Sequence, residues 1–155
     1  MPYIIPPDEV PIYYEDVGDG ANILLIHGGA ANTNFWIKQI PELSRNHRVV
    51  AYDLRGHGSS GKIDEGNNLT QYGQDMEYLM KTLSMENVVV VGWSLGTAVL
   101  FSYVRQFGIE RLAGFIDIDQ PAKRFVQEGP FQKLLSGIRS KKYQTHRTRI
   151  LSFFF

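Results

Sequence analysis

Gly92-Trp93-Ser94-Leu95-Gly96 stands where one hydrophobic periodicity gives way to another. Val88-Val89-Val90-Val91 precedes it, and Leu95, Val99, Tyr103 and Phe107 follow at four-residue steps until Gly108. This junction reads as strand, sharp turn, helix. A serine on so tight a turn is forced into strained backbone, with its hydroxyl projecting above the sheet. The flanking glycines remove Cβ atoms that would strike the neighbouring strand and helix. The helix start aims unpaired N–H groups and the positive end of its dipole at the turn. Ser94 is therefore the candidate nucleophile, with the Leu95 amide as one oxyanion donor. The plain alternative is an ordinary strand-to-helix turn whose serine caps the helix.

A second element points the same way. Ile23-Leu24-Leu25-Ile26 runs directly into His27-Gly28-Gly29-Ala30, whose small residues let backbone approach a reacting carbonyl closely. Acyl transfer needs two donors for the oxyanion, and the Gly29 amide is the candidate for the second. His27, at the strand end, suits hydrogen bonding that orders the loop better than it suits proton transfer.

The rest of the chain alternates in kind. Val49-Val50-Ala51-Tyr52 and Gly114-Phe115-Ile116-Asp117-Ile118 join the two runs above as short β-rich segments without polar alternation, the habit of strands buried on both faces. Between them, Phe35, Trp36, Gln39, Ile40 and Leu43 have helix-like spacing, broken near the end by Pro41. Tyr72, Met76, Leu79, Met80 and Leu83 share one face of a helix over Thr70–Leu83, with Thr70 as its N-cap. The expected fold is α/β, a mostly parallel sheet with flanking helices. Upstream, Ile12 and Tyr14 alternate weakly toward Val17-Gly18-Asp19-Gly20-Ala21, a hairpin or strand-end signal.

Composition narrows the partners. Sixteen Lys+Arg balance sixteen Asp+Glu, which argues against nucleic acid or an anionic membrane. The absence of cysteine rules out disulfides and thiolate chemistry and fits a reducing compartment. No apolar run approaches the roughly 20 residues of a membrane span, and no secretory signal is visible, so the expected location is cytoplasmic. Gly56-His57-Gly58-Ser59-Ser60-Gly61 satisfies a dinucleotide fingerprint in spacing alone. It leads into loop composition rather than a helix, so no cofactor is expected and His57 reads as structural. His47 reads as surface loop. The Asn68-Leu69-Thr70 sequon is uninformative without a secretory route.

Four segments, in order and spacing, carry a resemblance to the α/β-hydrolase superfamily over Tyr13 to about Arg124. They are Leu24–Gly29, Tyr52-Asp53-Leu54-Arg55-Gly56-His57-Gly58-Ser59-Ser60, Val90–Thr97 and Ile116-Asp117-Ile118-Asp119-Gln120-Pro121. Trp93 is similar to some small carboxylester hydrolases, and Asp119-Gln120-Pro121 to cofactor-free haloperoxidase-like members. The resemblance implies the N-terminal portion of such a fold, residues 1–124, with 125–155 as the start of a lid or an atypical tail. Serine rather than aspartate at position 94 implies an acyl-enzyme formed from an ester or similar acyl substrate. The superfamily's triad runs Ser, then acid, then His. Asp119 sits at a strand tip, suited to the acid or to anchoring a lid turn. His146 is the histidine after Ser94, within a basic run typical of a solvated surface. Thirty-six residues after Asp119 are too few for a lid and two further strand–helix units, so a C-terminally truncated chain is expected. Two readings follow: a serine hydrolase, or a non-catalytic hydrolase-like domain binding a small apolar ligand or a protein partner. An unpaired strand ending at Ile118 would invite self-association and low stability.

Overall fold

The apolar runs pair with one another across the chain rather than with their nearest neighbours in sequence. A computed structural model describes residues 2–64 and 66–118. Among them six strands form one sheet: β1 (Tyr3–Ile4), β2 (Ile12–Val17), β3 (Ala21–Ile26), β4 (His47–Tyr52), β5 (Val88–Trp93) and β6 (Leu112–Ile118). Their order is β1-β2-β4-β3-β5-β6, with β4, β3, β5 and β6 parallel and the first two strands antiparallel. The Gly18-Asp19-Gly20 segment is thus a strand end and not a hairpin, because β4 lies between β2 and β3. The structure bears out the mostly parallel sheet with flanking helices.

This order creates the place for a site. From β3 the chain passes to β4 on one side, then crosses back over β3 to β5 on the other. Crossovers leaving in opposite directions from a common centre open a crevice at the carboxyl ends of the two central strands, where α/β sheets bind ligands. The two strands are β3 and β5, whose ends carry His27-Gly28-Gly29 and Trp93-Ser94.

Each sheet face is covered by its own helices. Trp36 and Ile40 pack with Ile23, Leu25, Val49, Ala51 and Val91 on one face. The intervening residues Leu24, Ile26, Val50 and Val90, also buried, point to the opposite face. There α2 (Leu69–Thr82) packs on α3 (Leu95–Phe107), and α3 packs on β5. The boundaries of α3 match the four-residue spacing and the Gly108 stop. Four-residue steps drift about 40° each on a 3.6-residue helix, so Val99 and Tyr103 are buried while Phe107 swings outward.

Several local expectations change. No single helix runs through 35–43: Thr33–Trp36 is a 3-10 turn capped by Asn32, and α1 covers only Gln39–Leu43. Pro41 is accommodated because its missing N–H falls in the first turn, where no intrahelical partner exists. Phe35 faces outward, 38% exposed, whereas Trp36 is buried. Helix α2 starts at Leu69, since Asn68 rather than Thr70 is the cap, its side chain accepting from the Gln71 N–H at 3.0 Å. Gly66, with φ +85°, turns the chain so that the Asn68 N–H reaches its carbonyl, which sets Asn68 up as the cap. His47 is the first residue of β4 and not loop, paired in register with Ala21. β6 is half-buried to exposed instead of buried on both faces, and among the described residues it pairs with β5 alone. No helix among the described residues is long and apolar enough to cross a membrane. The readings at Asp119, His146 and 125–155 lie outside the described residues.

Candidate active site

The turn after β5 is strained where the motif requires it. Ser94 has φ +51° and ψ −109°, a conformation that L-residues rarely hold and that packing on both sides must impose. The Ser94 N–H donates to the Ile118 carbonyl at 3.0 Å, tying the turn to the end of β6. Its carbonyl accepts from Thr97 and Ala98, which starts α3. The hydroxyl makes no capping bond, so the plain helix-cap role is not the one it has.

The two glycines do what the spacing suggested. A Cβ on Gly92 would lie 2.7 Å from the Thr97 nitrogen at the start of α3. One on Gly96 would collide with the Ile26 carbonyl, 2.8 Å from its carbon, and crowd the His27 carbonyl oxygen. The first glycine lets the helix meet its own strand, and the second lets it meet β3. Thr97 completes the clamp: its hydroxyl lies 2.8 Å from the Gly92 carbonyl and 2.9 Å from Asp117 Oδ1.

The loop after β3 reaches the same place. A Cβ at Gly29 would sit 3.9 Å from Leu95 Cδ2, so the two residues proposed as oxyanion donors are brought together. Leu95 and Gly96 open α3, where helix geometry leaves amides without intrahelical partners. Gly28 packs against Trp93, with a notional Cβ only 2.7 Å from Cε3. The Gly28 carbonyl accepts from the Ala31 N–H at 3.3 Å, closing a turn in which Ala30 holds φ +58°.

Two buried side chains fasten this loop to the end of β4. The Leu54 N–H donates to His27 Nε2 at 3.0 Å, and His27 Nδ1 faces the Gly28 carbonyl at 2.7 Å. Those partners assign a neutral ring with its proton on Nδ1. Asp53 takes the Thr33 N–H on Oδ1 and the Ser59 N–H on Oδ2, each at 2.7 Å. The glycine-rich stretch 56–61 is thereby folded around a carboxylate of its own chain, with the Gly56 N–H donating to the Gly61 carbonyl and no helix opening at Gly61. His57 lies with its ring 5.4 Å from that of His27 and its Nδ1 against the Arg55 carbonyl. Arg55 itself is buried, held by both oxygens of Asp75 and by Asp8. None of the described hydrogen bonds involves the Ser94 hydroxyl, while His27 and His57 bond to backbone groups.

Burial holds the His27 pKa below the ordinary imidazole range. His57 nearby pushes the same way, while the Gly28 carbonyl and Asp53 oppose. On acidification the unfolded chain therefore takes up this proton before the folded one does. The His27 contribution is fully present above about pH 6.5 and is lost as pH falls below it. The melting temperature should drop more steeply between about pH 7.5 and 5.5 in the unaltered chain than in His27→Gln. Equal slopes would contradict the assignment of a buried, neutral His27.

Sequence reasoning missed two parts of the arrangement. Asp53, an aspartate ahead of a glycine-rich turn, has the composition of an Asx acceptor, but its hold on Thr33 leaves no local signal. The stacking of Phe35 on Trp93, with ring centroids 4.0 Å apart and planes at 2°, left no signal in periodicity.

With strained serine, helix start and glycine loop converging on the crevice between β3 and β5, the chain belongs to the alpha/beta hydrolase fold family, whose sequence model matches residues 21–155. It is 38% identical over 117 residues to a Synechocystis sp. protein that carries a non-heme chloroperoxidase name, covering 72% of this chain and 42% of that one. A non-heme haloperoxidase from Rhodococcus erythropolis is 34% identical over 114 residues, 73% of this chain and 42% of the relative. A thermophilic esterase from Thermogutta terrifontis superposes with a TM-score of 0.68 at 31% identity, covering 86% of this chain and 54% of that one. The chain thus spans 42% of the length of these two curated relatives.

Proposed function

We propose that this chain carries the nucleophile and oxyanion hole of a serine hydrolase acting on an ester or similarly activated acyl group. Ser94 Oγ attacks the acyl carbon, and the oxyanion that forms accepts hydrogen bonds from the Leu95 and Gly29 amides. The hydroxyl proton passes to a base and from it to the leaving group; water then releases the acid from the acyl-enzyme. Asp119, alternatively a lid-turn anchor, and His146, in a basic run typical of a solvated surface, are the positions this chain offers for acid and base. The reaction needs no cofactor. The observation that carries this reading is Ser94 at φ +51° with its hydroxyl outside any capping bond. Relatives named as esterases and non-heme haloperoxidases support it.

A fluorophosphonate probe tests it. Covalent labelling should map to Ser94 by peptide mass and vanish in Ser94→Ala. Absence of labelling would remove the activity from this chain while leaving its family in place, and a label on another residue would overturn Ser94 as the nucleophile.

A further inference from the structure

We propose that Phe35 and Trp93 are a positioning pair that locks the loop carrying the Gly29 amide onto the nucleophile turn; the inference rests on the serine-hydrolase reading. The loop leaves β3 at His27 and ends in the 3-10 turn Thr33–Trp36. A single indole meets it at both ends. Gly28, its second residue, is so close that a Cβ would lie 2.7 Å from Cε3 and 2.9 Å from Cζ3 of Trp93. Phe35, near its far end, stacks on the same ring system with centroids 4.0 Å apart and planes at 2°. Phe35 is braced in turn by Trp36, edge-on at 4.9 Å and 86°.

The placement of Trp93 gives the contact its consequence. Trp93 and Leu95 flank Ser94, so the loop rests on the residue before the nucleophile while the first amide belongs to the residue after it. Gly29 lies between the loop's two points of contact with Trp93, against Leu95. Any shift of the loop relative to the indole therefore changes the separation of the two amides that must meet one oxygen. The bonds from Asp53 to Thr33 and from Leu54 to His27 hold the loop toward β4. The aromatic stack holds it toward β5. Phe35 is 38% exposed against 3% for Trp36, so the stack sits at the margin of the core and its loss leaves the fold in place.

The test compares the full chain with Phe35→Leu and Phe35→Tyr by two readouts, backbone hydrogen exchange over residues 28–35 and the rate of fluorophosphonate labelling. In Phe35→Leu, exchange should quicken and labelling should slow by about tenfold or more, at a little-changed melting temperature. Phe35→Tyr, which keeps a stacking ring, should restore both. Unchanged exchange in Phe35→Leu overturns the proposal whether or not Ser94 reacts. Quickened exchange with undiminished labelling overturns it too. If the unaltered chain takes no label while Phe35→Leu still frees residues 28–35, the hydrolase reading falls and the coupling of loop to turn stands.

Discussion

Gly96→Ala is expected to lower stability by about 3 kcal/mol or more, or to prevent folding outright. The added methyl group meets the carbonyls of Ile26 and His27, both main-chain groups at the end of a central strand. Neither can rotate aside as a side chain would. Relief requires α3 to move off β3, which separates Leu95 from Gly29 and opens the packing against β5. Gly114→Ala supplies the control, because nothing lies within 4 Å of a Cβ there. Chemical denaturation should show a large loss for the first variant and a change within about 0.5 kcal/mol for the second. A Gly96→Ala loss under about 1 kcal/mol would mean that helix and strand are not in the contact described.

Ser94→Gly should separate stability from chemistry. At φ +51° and ψ −109° a residue with a Cβ is strained, and glycine is not. Relief of that strain, partly offset by the greater freedom of glycine in the unfolded chain, should make Ser94→Gly more stable than Ser94→Ala by about 1 kcal/mol. On the serine-hydrolase proposal, both variants should lose turnover by a factor of roughly 10⁴ or more, since neither could form an acyl-enzyme. A glycine variant no more stable than alanine would argue that the turn relaxes in solution. The strain would then not be an intrinsic part of the turn at Ser94.

What could be read from sequence, and what could not, follows from the range of the interactions. The runs at 23–26, 49–52 and 88–91 declare themselves because strands buried on both faces must be apolar throughout. Helix α3 does so because its apolar spacing is sustained to Gly108. The short elements are silent: Thr33–Trp36 and Gln39–Leu43 are each too brief to set up a period, and the outward face of Phe35 depends on its pairing with Trp93. His47 enters β4 through a ladder partner, Ala21, that no local pattern announces. At the site, Ser94, Leu95 and the flanking glycines are legible because one turn imposes all their requirements within five positions. Asp53 and Phe35 act across the chain, through Thr33 and Trp93. Only the fold brings those partners together.

Trapping the covalent intermediate tests Ser94 as the nucleophile most directly. The chain, mixed with a p-nitrophenyl ester and quenched in acid within the first turnover, should carry a single acyl group on the peptide containing Ser94, and Ser94→Ala should carry none. An unmodified Ser94 during ester turnover, or an acyl group that persists in Ser94→Ala, would rule out an acyl-enzyme at Ser94.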